Sequence, residues 1–205
     1  MKLYVTYTSP YARLARIVVI EKELADTVSI VEAKTRIANS DYYKVNPSGR
    51  VPYLVNDDGI GIEDSQLICS YLDFFDVKPF FHHADHQSVL NYRRFEASAR
   101  SMCDGISVWV REMQRLQSER SPAVLSHEVE RSQRMADLFE FLISDAYFQG
   151  ERSMLQLMLA VALDTARIRG PCDLALHRPQ LNRWLDRICE IPSLRQTAIP
   201  QAKKT

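Results

Sequence analysis

The sequence has no excess of either charge. Lysine plus arginine and aspartate plus glutamate number 26 each in 205 residues, so the formal net charge is zero. A nucleic-acid surface needs a basic excess, so no nucleic-acid partner is expected. The Lys203-Lys204 pair is too short for a polybasic patch. No apolar run is long enough to span a bilayer, and the longest, Met154 to Leu163, is interrupted by Gln156. A membrane role is therefore not expected. Closely spaced cysteines are also missing: Cys69, Cys103, Cys172 and Cys189 stand far apart, with no C-x-x-C pair. The opening MKLYVTYT runs straight into an alternating β pattern, without the long apolar stretch of a signal peptide. Reduced thiols and a cytoplasmic location are expected. His82, His83 and His86 lie close together, but no acidic or cysteine partner completes a metal pattern. A solvated linker is the expectation there, and no metal. There is no internal repeat and no low-complexity stretch.

At roughly 100–200 residues per domain, this length allows one or two domains with a substantial core. Lys2 to Thr6 reads as a strand. Pro10 suits the first turn of a helix, because its missing N–H would be unbonded there anyway. Tyr11 to Leu24 places Leu14, Ile17, Val18 and Leu24 on one helical face, with Arg13, Arg16 and Lys22 outside it, and Arg13 as either a structural pairing residue near the first helix or a solvent-facing one. Val28 to Val31 is a second strand, and Ile37 to Lys44 a short helix or a loop. Pro52 to Asn56 and Ile60 to Ile62 form a hairpin around Asp57-Asp58-Gly59. Ser65 to Phe75 closes the unit as a helix. This β-α-β-α-β-β-α order fits a thioredoxin-like α/β layer with a right-handed first crossover.

After a linker, nothing reads as sheet. Gln87 to Arg120 reads as one long helix with Gly105 as its bend, and Pro122 to about Phe148 as another. Ser153 to Arg169 is apolar all round, which places it at the centre of a helical domain. Its start is marked by Ser153-x-x-Gln156, a capping box in which Gln156 reaches back to the cap N–H. Arg178-Pro179 opens a further helix with Leu181, Trp184, Leu185 and Ile188 on one face. The expected division is an α/β domain over 1–76, a linker over 77–85 and an all-helical domain over 86–205.

Two runs carry the chemistry. Asn46-Pro47-Ser48-Gly49-Arg50-Val51-Pro52-Tyr53-Leu54 enters a strand through an X-Pro bond. Pro52 cannot donate to a sheet ladder, so it fits a strand only at its first residue or on an edge. The main chain of Val51 is then available to an extended peptide by strand addition. Ile62-Glu63-Asp64-Ser65-Gln66 follows, with a carboxylate and a hydroxyl at a helix start, where oriented N–H groups and the positive helix end collect.

NPSGRVPYL followed by EDSQLICSYLD resembles the glutathione-binding half of the cytosolic glutathione transferases. GERSMLQLMLAVAL and RPQLNRWLDRICEIPSL resemble their helical C-terminal domain, so the resemblance covers nearly the whole chain. It implies that Val51 pairs with the cysteinyl main chain of glutathione, that Asp64 and Ser65 hold its γ-glutamyl end, and that Arg50 contacts a carboxylate. A solvated loop arginine is the competing reading of Arg50, and Glu63 reads as a surface acid at a strand end. Ser9-Pro10-Tyr11 at the first strand–helix junction resembles the serine-type, bacterial-like transferases, in which a hydroxyl donates to the glutathione sulfur. A free thiol has a pKa of about 8.5. A hydrogen bond to a charged acceptor is worth about 1.5–3 kcal/mol, enough to lower that pKa by roughly one to two. The competing role of Ser9 is a plain helix N-cap. Tyr7 and Thr8 are the alternative hydroxyl donors.

The expected protein is a glutathione transferase. It uses glutathione as co-substrate to conjugate or reduce small apolar electrophiles, and Ser9 stabilises the thiolate. The resemblance further implies a homodimer. Tyr11, Met102, Ile106 and Trp109 are candidates to line the second-substrate pocket, with plain core packing as the alternative for each. Two other readings of the same fold stand beside this one. One is a non-catalytic regulatory or binding protein, stringent-starvation-like; the other is a glutathione-dependent isomerase or dehalogenase.

Overall fold

The computed structural model describes residues 1–76, 79–81, 89–170 and 172–200. The expected linker and His82, His83 and His86 lie largely outside these residues. Among the described residues, 1–81 and 192–200 form one compact unit and 89–191 the other.

The first unit is built on four strands, β1 (Lys2–Val5), β2 (Ser29–Glu32), β3 (Tyr53–Val55) and β4 (Gly61–Glu63). Their order is β2-β1-β3-β4. β1 pairs parallel with β2, and β3 pairs antiparallel with both β1 and β4. The parallel pair needs a crossover, supplied by α1 (Pro10–Glu21). α2 (Tyr42–Val45) precedes β3, and α3 (Ser65–Asp73) follows β4. This is the thioredoxin-like layer expected from the element order. Gly59 takes φ 80° in the β3–β4 turn, where a side chain would be strained. Leu3, Val5, Leu54, Leu14, Ile17, Val18, Ile68 and Leu72 are buried, so sheet and helices share one core.

Two cations that lie outside the apolar face of α1 in the helical pattern are buried, Arg13 in the structural pairing role rather than facing solvent. Arg13 is 1% exposed and donates from Nη2 to the Leu194 carbonyl at 3.0 Å. Lys22 reaches Asp76 at 2.7 Å and Asp73 at 3.8 Å. Helical periodicity reports which face meets its neighbours in sequence. It carries no sign of a partner 181 residues away. That partner lies on α9 (Pro192–Gln196), and residues 192–200, read from sequence as the end of the helical domain, belong to the first unit.

The second unit is all-helical: α4 (Val89–Met113), α5 (Pro122–Leu142), α6 (Ala146–Gln149), α7 (Met154–Arg169) and α8 (Pro179–Cys189), with a 3₁₀ turn at Gln117–Glu119. α4 stops at Met113 rather than Arg120. Arg120 folds back to donate to the Met113 and Arg115 carbonyls, and Glu112 accepts from the Ser121 N–H. These side chains satisfy helix-end groups that another turn would otherwise have used. α4 continues through Gly105, where a Cβ would stand 2.6 Å from Oε2 of Glu128 on α5. The glycine is there for close approach. α5 likewise ends before Phe148, because Asp145 caps a new helix by accepting from the Tyr147 N–H at 3.0 Å. α7 is the buried centre of this unit, and Ser153 caps it through the Gln156 N–H. The Gln156 side chain does not complete the expected capping box. It donates to the Tyr147 carbonyl at 3.0 Å, tying α7 to α6.

Candidate functional site

Three chain segments open at one end of the sheet. β1 leaves that end at Val5, β3 enters it at Tyr53 opposite Tyr4, and β4 leaves it at Glu63 opposite Tyr53. Ser9, Val51, Asp64 and Ser65 each lie within a few residues of those strand ends. Strand register alone therefore gathers the loops that carry them.

Ser9 is the N-cap of α1. Its Oγ accepts from the Ala12 N–H at 3.2 Å, and Pro10 occupies the first helical turn. The two readings of Ser9 do not exclude each other. A hydroxyl oxygen can accept the cap bond while its proton stays available, and the Ser9 O–H has no acceptor among the described residues. Of the alternative donors, Thr8 is exposed, and the Tyr7 ring lies 4.8 Å beneath the Arg16 guanidinium. Arg16 in turn donates to the Thr197 carbonyl. Tyr7 is also exposed, and its ring rests against α1 through the Arg16 contact. Tyr11 is half-buried in the first turn of the same helix.

The Val51–Pro52 bond is cis. Neither the N–H nor the C=O of Val51 has a partner among the described residues. The loop before it is braced from within. Asn46, 2% exposed, accepts from the Ser48 N–H at 3.1 Å and donates to the Arg50 carbonyl at 3.0 Å. The Tyr42 hydroxyl donates to the same carbonyl. Burial pushes the Tyr42 phenol up to about 12, so it remains a donor across the physiological range. Ser48 Oγ accepts from the Arg50 N–H and donates to Glu63 at 2.6 Å. Glu63, read from sequence as a surface acid, therefore links this loop to β4. The Arg50 side chain is exposed and has no partner among the described residues.

Gly49 sits at φ 67°, and a Cβ there would lie 2.7 Å from Cε1 of Tyr43. Gly49→Ala is expected to destabilise the protein by about 1–2 kcal/mol, the cost of a side chain in left-handed backbone. Thermal unfolding should shift down by roughly 2–8 °C; an unchanged transition would mean the loop relaxes without cost.

Asp64 adopts φ 80° and ψ 121°. A non-glycine residue in such backbone costs about 1–3 kcal/mol and persists only when its surroundings hold it there. Here Oδ1 accepts from the Gln66 and Leu67 N–H groups at 2.9 and 3.0 Å, capping α3. The second carboxylate oxygen remains available on an exposed side chain. Ser65 follows, 6% exposed, its hydroxyl without a partner among the described residues. One end of this sheet thus offers main-chain groups for an extended peptide, a carboxylate for a cation, a guanidinium for an anion, and a hydroxyl at a helix N-terminus.

Met102, Ile106 and Trp109 belong to the second unit. They lie on α4 and are 1%, 0% and 2% exposed. Among the described residues no cluster of histidine, cysteine and acidic side chains could hold a metal ion, and no helix is long and apolar enough to cross a membrane. The bracing roles of Asn46, Tyr42 and Glu63 were not read from sequence. Asn46 alone left a trace there, as an Asn followed two residues later by a bonded N–H in a Pro-Ser-Gly turn.

Residues 8–73 match the model of the glutathione S-transferase N-terminal domain. An uncharacterized GST-like protein of Escherichia coli strain K12, YibF, is 28% identical over 207 residues, covering 98% of this chain and 100% of that protein. Among solved structures, a glutathione S-transferase of Methylobacillus flagellatus with glutathione bound is 26% identical, with a TM-score of 0.85 over 97% of this chain and 99% of that one. A glutathione transferase family member of Pseudomonas fluorescens, also with bound glutathione, is 23% identical with a TM-score of 0.87, covering 97% and 98%.

Proposed function

We propose that this chain, whose residues 8–73 match the glutathione S-transferase N-terminal domain, acts as a glutathione transferase: it binds reduced glutathione along the open end of the sheet and uses its thiolate as a nucleophile. The observation that carries this reading is the main chain of Val51, without a partner among the described residues and set at the same sheet end as the Ser9 hydroxyl and the strained Asp64. In this pose the cysteinyl main chain adds to Val51 as a short strand. The γ-glutamyl ammonium meets Asp64, the adjoining carboxylate meets Ser65 at the α3 N-terminus, and Arg50 faces the glycyl carboxylate.

The sulfur then lies at the start of α1. The Ser9 O–H donates to it while Oγ keeps its cap bond. The thiol proton leaves to solvent, and the bond and the helix end together hold the sulfur as thiolate. On a small apolar electrophile the thiolate forms a carbon–sulfur bond as the leaving group departs with its electron pair. On a peroxide it would attack one oxygen instead, breaking the O–O bond so that the other oxygen leaves with the electron pair and takes up a proton. A second glutathione would then convert the sulfenic acid to the disulfide and water. The same reading includes a symmetric homodimer as the working form.

Calorimetry with millimolar reduced glutathione tests the first step. A measurable heat, lost with Val51-side and Asp64-side variants, is expected; no heat would end the reading. A panel of electrophiles and peroxides then separates conjugation from reduction.

A further inference from the structure

The group proposed to receive the peptide, the Val51 N–H, belongs to the Arg50–Val51 peptide unit. That unit is trans and planar, so its carbonyl and its N–H point in opposite directions. Whatever fixes the Arg50 carbonyl therefore fixes where the Val51 N–H points. Two donors hold that carbonyl, the Tyr42 hydroxyl and Asn46 Nδ2. Both side chains are buried. The Tyr42 ring is itself set against Tyr4 of β1, with centroids 5.6 Å apart. Asn46 is fixed at its other atom by the Ser48 N–H. The carbonyl is thus tied to the sheet and to its own loop at once.

We infer that Tyr42 and Asn46 are positioning residues for peptide recognition, clamping the Arg50 carbonyl so that the Val51 N–H is aimed out of the sheet before any ligand arrives. Two hydrogen bonds on the carbonyl also polarise the amide and strengthen its N–H as a donor. Neither residue touches the ligand in this arrangement. This inference rests on the glutathione reading of the site.

The test is nuclear magnetic resonance on the full chain labelled with ¹⁵N, titrated with reduced glutathione, comparing wild type with Tyr42→Phe and Asn46→Asp. Phenylalanine keeps the ring against Tyr4, and aspartate keeps the acceptor for the Ser48 N–H. In wild type the amide resonances of Val51, Gln66 and Leu67 should all move on titration. In Tyr42→Phe the Val51 resonance should already differ in the free protein, and its response to glutathione should fall by about half or more. Gln66 and Leu67 should respond as before, and Kd should rise about three- to tenfold, the scale of one neutral hydrogen bond. A role confined to holding the fold together would instead move all three resonances in step. Full Val51 response and wild-type affinity in both variants would overturn the inference and leave the glutathione reading standing. If wild-type Val51 fails to respond to glutathione, the site reading fails, and this inference with it.

Discussion

Ser9→Ala is expected to cut the thiolate fraction of bound glutathione about 8–25-fold at neutral pH, as the thiol pKa returns toward about 8.5, while leaving its affinity within a few-fold of wild type. The magnitude follows from one charge-assisted hydrogen bond, about 1.5–3 kcal/mol, which is roughly one to two in the pKa of the bound thiol. The sign follows from which form the bond favours. The Ser9 proton stabilises the anion, so removing it raises the thiol pKa. The rate should fall most at neutral pH and recover as pH rises through the new value. A complication is that Ser9 also caps α1 by accepting from the Ala12 N–H, and alanine at an N-cap costs about 1 kcal/mol of stability. Ser9→Gly separates the two effects, because glycine loses only a few tenths at that position. Both variants lack the hydroxyl, so both should lose the ultraviolet absorbance of the bound thiolate. Only the alanine variant should also lose appreciable thermal stability. If the absorbance survives in the glycine variant, the thiolate is held by another donor, and Thr8 is the first to examine, since Tyr7 packs beneath Arg16.

The architecture was readable from sequence where a single local rule decides it. Alternation gave β1, Pro10 after Ser9 gave the start of α1, and Asp57-Asp58-Gly59 gave the β3–β4 turn. What sequence patterns missed is what depends on side chains that reach across the fold. Arg13 is charged and sits beside apolar residues in a helical pattern, so periodicity alone places it outside the apolar face. The structure buries it, because the carbonyl of Leu194 arrives from the far end of the chain. The ends of α4 and α5 were misjudged for a related reason. Both runs are helix-compatible for several residues more. Arg120 and Asp145 stop them by satisfying backbone groups with side chains, an outcome that propensity cannot resolve.

The site divides in the same way. Ser9, Val51, Asp64 and Ser65 stand out in the sequence because each sits at an element boundary marked by proline, a capping residue or both. The sheet register brings those boundaries to one end. The support behind them is silent in the sequence. Tyr42 reads as an aromatic in a weak helix and Glu63 as a surface acid, yet one holds the Arg50 carbonyl and the other the Ser48 hydroxyl. Both bonds close across the loop to residues eight and fifteen positions away, and no residue type announces that.

The second large effect is expected at Asp64. Asp64→Asn should weaken glutathione binding about tenfold while changing thermal stability little; Asp64→Ala should lose both binding and stability. The cap on α3 needs only an oxygen at Oδ1 to accept from the Gln66 and Leu67 N–H groups. Asparagine provides one and ranks with aspartate as an N-cap. It also tolerates positive φ better than most residues, so the backbone at φ 80° should persist. What asparagine removes is the charge on the second oxygen, and in its place it presents an N–H₂ to the incoming ammonium. An exposed ion pair in free solution is worth only about 0.2–1 kcal/mol, whereas a hydrogen-bonded charge pair reaches about 1.5–3 kcal/mol. A ligand already aligned by Val51 falls between these, near 1.4 kcal/mol, which is about tenfold in Kd. The effect should shrink as salt rises, since the side chain faces solvent. Alanine fails differently. It leaves the two N–H groups of α3 without their cap and places a side chain without local hydrogen bonds in strained backbone, at a combined cost of about 2 kcal/mol. Calorimetry at two salt concentrations, beside thermal unfolding of both variants, separates charge from cap. Wild-type affinity in Asp64→Asn would place the γ-glutamyl amine elsewhere, and Glu63 could not replace Asp64 there without giving up Ser48.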